Sequence, residues 1–251
     1  MSVTMPPATW LVLGASSAVA RAFAHQAASH GAALLLAGRD TEDLERQAAD
    51  LAIRHRVSAT PVAFDARDLG SHAGFIADCA ARSTGTLNVF LAFGVMPEQA
   101  EADRDPATAA AMVEANFTGA ASVLAALAPV LEAQRGGTVV ALGSVAGDRG
   151  RPRNYLYGAT KAALATYLQG YAARLSRSGA RVLCVKAGPI DTAMTWPLPR
   201  LPFMATPQAF ARSLWQRAER GAGSVYLPRV WWPVMGIIRL LPTRIFNRLD
   251  I

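Results

Sequence analysis

Cysteine is nearly absent from this chain: Cys79 and Cys184 are the only two among 251 residues. Two lone cysteines build neither a disulfide framework nor a zinc-type ligand set. Both lie in apolar stretches, where a thiol packs as a small hydrophobe, and no metal site is expected. Charged residues are also few, at 17%, which argues against disorder. No apolar run reaches the ~18 residues of a membrane-spanning helix. The opening segment MSVTMPPATWLVLGASS lacks the basic n-region of a secretory signal. Internal repeats, interdomain linkers and low-complexity tracts are missing too. A cytoplasmic protein is expected, either free or peripheral on the cytoplasmic face of a membrane.

Apolar residues are abundant, at 52%, enough for a large core in one domain. The formal net charge is +7, with a sequence pI of about 10.1. Such a balance suits nucleic acid, an anionic membrane or a phosphorylated ligand. The basic residues are dispersed and no nucleic-acid motif is present, so nucleic acid is not an expected partner.

Apolar runs at 10–14, 33–38, 57–64, 87–94, 137–144, 180–188 and 224–228 read as strands. Helical segments alternate with them: 16–30, Asp40 or Thr41 to Arg54, from Asp105-Pro106 onward, Asn154 to Arg177, and after Thr206-Pro207. Continuous apolar strands alternating with helices predict an α/β fold: a single-domain, Rossmann-like, doubly wound parallel sheet of about seven strands. Its ligands belong at the C-terminal ends of the strands. The domain is assigned to residues 1–228, and 229–251 to an apolar, basic, amphipathic helical tail that extends it.

The segment GASSAVA (14–20) joins the first strand to the first helix, where amides at a helix N-terminus can cradle a phosphate. Gly14 is its only glycine, Ala18 and Ala20 occupy positions that a glycine-rich fingerprint fills with glycine, and Ser16 and Ser17 offer hydroxyls. The alternative is a plain small-residue turn. In LLLAGRD (34–40) the second strand ends at Gly38 and Arg39, with no acid to accept a ribose 2′-hydroxyl. An arginine there suits a 2′-phosphate, so NADP is preferred over NAD; otherwise Arg39 is a solvated residue before a helix cap. Asp65 ends the third strand, within reach of an adenine.

The stretch GDRGRPRNYLYGATK (147–161) holds two tyrosines and three arginines before its lysine. At about 100° per residue, Tyr157 and Lys161 share a helix face and Tyr155 lies away from it. A phenol titrates near ~10, and a neighbouring ammonium lowers that value, so Tyr157 is the candidate acid/base and Ser144 a second hydrogen-bond donor to the same carbonyl oxygen. Arg149, Arg151 and Arg153 lie between them. They form either a solvated loop or subunit contact, or a seat for an anionic group on the substrate, and Asp148 is a candidate partner for one of them.

With these groups in place the chain resembles the short-chain dehydrogenase/reductase family over about residues 8–228. The resemblance implies a catalytic tetrad of Asn116 (NFTGA), Ser144 (LGSVAG), and Tyr157 and Lys161 (YGATK). It further implies a cofactor site built from Gly14, Ser16, Ser17, Ala18, Val19, Arg39, Asp65, Ala92, Gly94, Tyr157, Lys161, Gly188, Ile190 and Thr192. Arg149, Arg151 and Met194 are the substrate-binding candidates. Departures include LAFG (91–94) for the usual NNAG and Ala187 for the usual proline in KAGPIDT (186–192).

In the tail, WWPVMGII (231–238) is followed by Arg239, Arg244 and Arg248. A helix in a membrane interface has this composition; a helix packed on a sister subunit is the alternative. The segments 92–99, 147–158 and 225–246 are similar to one branch of the family, the reductases of decaprenylphosphoryl-2-keto-pentose. That similarity implies reduction of a ketone on a polyprenyl-phosphate-linked sugar for cell-envelope synthesis, peripheral membrane contact and a homo-oligomer. A reductase of a small soluble or acyl ketone, and a non-catalytic nucleotide-binding scaffold, are the competing readings.

Overall fold

Side chains alternate across each strand, and this sorts the core into two layers. In β1 (Ala8–Leu13), Trp10 and Val12 enter one apolar cluster, and Leu11 and Leu13 the other. In β2 (Ala33–Gly38), Leu34 and Leu36 divide from Leu35 and Ala37 in the same way. With β3 (Ala59–Ala63), β4 (Thr86–Leu91), β5 (Thr138–Ser144), β6 (Arg181–Ala187) and β7 (Gly223–Leu227) they form one seven-stranded sheet. All pairings are parallel, in the order β3-β2-β1-β4-β5-β6-β7. The computed structural model describes residues 8–196 and 201–248. Residues 1–7 of the segment read for a signal, and residues 249–251 of the tail, lie outside the described residues.

The helices are α1 (Ala18–Ser29), α2 (Thr41–His55), α3 (His72–Arg82), α4 (Gln99–Arg104), α5 (Pro106–Val113), α6 (Gly119–Gln134), α7 (Tyr155–Leu175), α8 (Pro207–Ala218), α9 (Trp231–Leu240) and α10 (Thr243–Phe246). Residues of α1, α2 and α8 pack on one face of the sheet, and those of α3, α6 and α7 on the other. The expected single Rossmann-like α/β domain is therefore present. Strand order reverses between β1 and β4, which opens a crevice above their C-terminal ends.

Some boundaries differ from the sequence reading. β1 ends at Leu13, because Gly14 turns away with φ of +79°. β3 spans only Ala59–Ala63 and holds Pro61; it is the outer strand, where a missing N–H breaks no ladder. The helix starting at Pro106 runs to Gln134 through a π-helical turn at Glu114–Thr118. This 29-residue helix is long and apolar enough to cross a bilayer by length and composition, although polar residues interrupt its apolar run. Its Val123, Leu124, Leu127 and Leu131 are fully buried in the second core layer. Cys79 and Cys184 are buried there as well, both as free thiols.

Candidate active site

The loop after β1 is shaped by one obligatory glycine. A Cβ at Gly14 would lie 2.8 Å from the Phe93 nitrogen, so only glycine lets this turn press against the segment after β4. The Gly14 and Ala15 amides donate to the Ala37 carbonyl at 2.9 and 3.0 Å. Ser17 caps α1, its hydroxyl accepting from the Ala20 amide at 3.2 Å. The first turn of α1, starting at Ala18 and Val19, carries no acid, so its amide end suits an anion. Gly38 has no side chain between Leu44 and the Ser16 hydroxyl, 4.0 Å from where its Cβ would be. Arg39 next to it is exposed and has no hydrogen bond or ion pair among the described residues. Asp65 is exposed, and one of its carboxylate oxygens accepts from the Arg67 amide at 2.9 Å.

Small residues bring Ser144 and Tyr157 together. A Cβ at Gly147 would lie 2.8 Å from the Ala162 nitrogen, and one at Gly158 would lie 2.7 Å from the Ala146 carbonyl oxygen. Only without those side chains can the loop after β5 rest on α7. The Ser144 hydroxyl accepts from the Ala146 amide at 3.1 Å. Tyr157 and Lys161 share one face of α7, with the ammonium 5.7 Å from the phenol ring centre. Tyr155 is turned away, 47% exposed, and donates its hydroxyl to Asp103 at 2.5 Å.

The π-helical turn carries Asn116, which is buried. Its side chain accepts from the Val95 amide at 2.7 Å and donates to the Val95 carbonyl at 2.8 Å. It also donates to the Thr160 hydroxyl at 3.2 Å, which in turn donates to the Tyr157 carbonyl at 2.8 Å. A Cβ at Gly94 would lie 3.1 Å from Asn116 Oδ1 and 3.5 Å from Lys161 Nζ. Ala92, just before it, is buried. Asn116, Gly94, Ser144, Tyr157 and Lys161 thus converge at the ends of β4 and β5.

Electrostatics inside this cluster differ from the simple pairing of phenol and ammonium. Burial pushes the Tyr157 phenol up to about 12; the Ser144 hydroxyl and the Arg151 guanidinium act against that rise. Burial also lowers the Lys161 ammonium to about 8. Lys161 donates to the Leu142 carbonyl at 2.9 Å while lying near the Tyr157 ring, and Arg151 is a further cation whose charge favours the Tyr157 phenolate. Desolvation wins, so the phenol keeps its proton beyond the pH at which a free phenol loses it.

The three arginines have different fates. Arg149 donates to the carbonyls of Ile238 and Leu241, both at 2.6 Å, and lies 4.0 Å over the Phe246 ring. Its guanidinium is directed at the tail. Arg151 has a buried Nε with no partner, and burial lowers its pKa. Arg153 is exposed. Asp148 makes no hydrogen bond or ion pair with an arginine among the described residues, though its charge acts on Arg151: its carboxylate accepts from Lys186 at 2.5 Å and from the Tyr226 hydroxyl at 2.6 Å. Lys186 went unnoticed in the sequence, although it and Lys161 are the only lysines among 25 lysines plus arginines. Thr160 (in YGATK) and Trp231 (in WWPVMGII) were given no place in the site, because tertiary packing alone brings them there.

After β6, the Gly188 amide donates to the Leu227 carbonyl at 2.8 Å. Ile190 is buried and bridges to Ala205. Thr192 is half-buried, with its amide donating to the Thr195 hydroxyl at 3.1 Å, and Met194 is 40% exposed. Ala187 sits in β6, paired with Ser144 on one side and Leu227 on the other.

Residues 8–200 match the short chain dehydrogenase family profile. The chain is 34% identical over 246 residues to an uncharacterised oxidoreductase of Streptomyces coelicolor, covering 97% of this chain and 96% of that protein. It is 31% identical over 239 residues to an uncharacterised oxidoreductase of Mycobacterium tuberculosis, covering 95% and 96%. A solved structure described as a short chain dehydrogenase/reductase family protein superposes with a TM-score of 0.77 at 28% identity, covering 89% of this chain and 97% of that one.

Replacing Tyr157 by Phe should lower carbonyl-reductase turnover at least ~100-fold while binding of the reduced nicotinamide cofactor, followed by its fluorescence, persists. Undiminished turnover would remove Tyr157 from the chemistry.

Proposed function

The chain belongs to the short-chain dehydrogenase/reductase family, and from that premise we propose that it is an NADPH-dependent reductase of a ketone bearing an anionic group. The observation that carries this reading is Arg151, a half-buried cation beside Tyr157 with an unpartnered Nε. Its neighbouring acid, Asp148, is held by Lys186 and Tyr226. A polyprenyl-phosphate-linked keto-sugar combines such an anion with an apolar chain. The tail supports it: Trp232, Ile237 and Leu240 are 70%, 65% and 85% exposed, beside exposed Arg239, Arg244 and Arg248. That face suits an anionic membrane surface.

Bound NADPH would supply the hydride. Ser16, Ser17 and the amides of Ala18 and Val19 would hold its phosphates, with Gly14 giving the close approach. Arg39 would take the 2′-phosphate and Asp65 the adenine. Ala92, Gly94, Lys161, Gly188, Ile190 and Thr192 would line the remaining length. Tyr157 and Ser144 would orient the carbonyl oxygen, and Tyr157 would give it the proton. Lys161, Thr160 and Asn116 lie behind Tyr157 to restore it. Met194 would border the substrate. A groove of about 680 Å³ lined by Phe117, Tyr167, Tyr171 and Arg174 offers a second copy of the chain a seat; sedimentation at a monomer's mass would contradict the homo-oligomer.

A soluble or acyl ketone remains the second reading, favoured by the burial of Trp231, Met235 and Phe246 against the chain's own body.

Matched carbonyl probes with and without a phosphate separate the two. Arg151→Met should reduce kcat/KM for the phosphorylated probe roughly 10- to 100-fold, the worth of a charge-assisted hydrogen bond, and leave the neutral probe within a few-fold. Equal loss on both probes would sink the anion seat. Arg39→Ser should weaken NADPH binding by a similar factor and leave NADH binding unchanged; an unaltered preference would put the 2′-phosphate elsewhere. The whole chain should float with anionic liposomes but not with neutral ones, and Trp232→Glu with Leu240→Glu should abolish flotation. A wild-type chain that stays at the bottom favours the soluble substrate.

A further inference from the structure

We propose that Arg149 is a positioning residue: by clamping the C-terminal end of α9, it holds the Ser144 loop and the Gly188 turn in one fixed relation. The carbonyls of Ile238 and Leu241, to which Arg149 donates at 2.6 Å, lie at that end of α9. Helix ends leave carbonyls without intrahelical partners and carry partial negative charge, so a forked cation satisfies both. The Phe246 ring at 4.0 Å covers the guanidinium from α10.

α9 in turn touches both walls of the candidate site. Trp231 and Met235 pack on Val145, the residue after Ser144. A Cβ at Gly188 would lie 2.1 Å from Trp231 Nε1, so the indole edge rests directly on that turn. The Phe203 ring meets Trp231 edge-on at 6.2 Å. Asp148, beside Arg149, fixes the other side of the same loop through Lys186 of β6 and Tyr226 of β7. Arg149 therefore reaches the reacting groups through Trp231 and Val145, without facing them.

The test rests on the reductase reading and separates from it. Arg149→Met and Arg149→Lys in the full chain are compared by hydrogen exchange of residues 231–241 and of the peptide containing Gly188. They are also compared by kcat and KM on neutral and phosphorylated carbonyl probes. Arg149→Met should speed exchange in both peptides and lower kcat tenfold or more on both probes alike, since small misplacements of reacting groups are costly. Arg149→Lys should restore part of each. A loss confined to KM for the phosphorylated probe would make Arg149 a substrate ligand and overturn the proposal, as would faster exchange in α9 with kcat unchanged. If Arg149→Met does not fold, Phe246→Leu loosens the same clamp and is judged by the same readouts. Should the wild type reduce neither probe, the function reading fails; the clamp is then judged on exchange alone, where a Gly188 peptide unmoved by Arg149→Met contradicts it.

Discussion

The loop after β5 rests on helix α7 at two points where no side chain fits. Gly147 and Gly158 meet backbone atoms of the opposing segment at distances that exclude a Cβ, and the rest of the site depends on that contact. It places the Ser144 hydroxyl beside the Tyr157 phenol and buries Lys161 one turn further along. The same burial sets the electrostatics. It favours the neutral phenol and disfavours the ammonium, so Tyr157 holds its proton and Lys161 is a cation held at a cost.

Around this contact, three further constraints converge. The reversal of strand order between β1 and β4 opens the crevice. Gly14 lets the first loop approach Phe93, and Gly94 leaves space next to Asn116 and Lys161. The π-helical turn aims Asn116 inward from a helix that otherwise serves the core. The tail closes the arrangement, with α9 resting on the Ser144 loop and the Gly188 turn while its opposite face stays exposed.

Strand and helix order was legible because parallel strands buried on both faces read as unbroken apolar runs. Tyr157 with Lys161 was legible because helical periodicity alone distinguishes it from Tyr155. The π-helical turn was not, since EANFT contains neither glycine nor proline to mark it. Nor could three arginines spaced two apart in a loop be told from one another. Arg149 turning to α9 and Arg151 to Tyr157 is a product of tertiary packing. Asp148 was read as a candidate arginine partner from proximity in sequence; its charge does act on Arg151, but its hydrogen bonds go to Lys186 and Tyr226, which β6 and β7 bring to it.

The most direct test of this account is titration of the Tyr157 phenol itself, by NMR of ring-labelled tyrosine assigned through Tyr157→Phe. In the protein without cofactor, Tyr157 should stay protonated well past pH ~10, the value of a free phenol. Replacing Arg151 by Met should move its titration still higher, because a cation that favours the phenolate has been removed. A phenol that titrates near neutrality, or one indifferent to Arg151, would contradict the claim that burial holds the proton and that the charge of Arg151 acts on it.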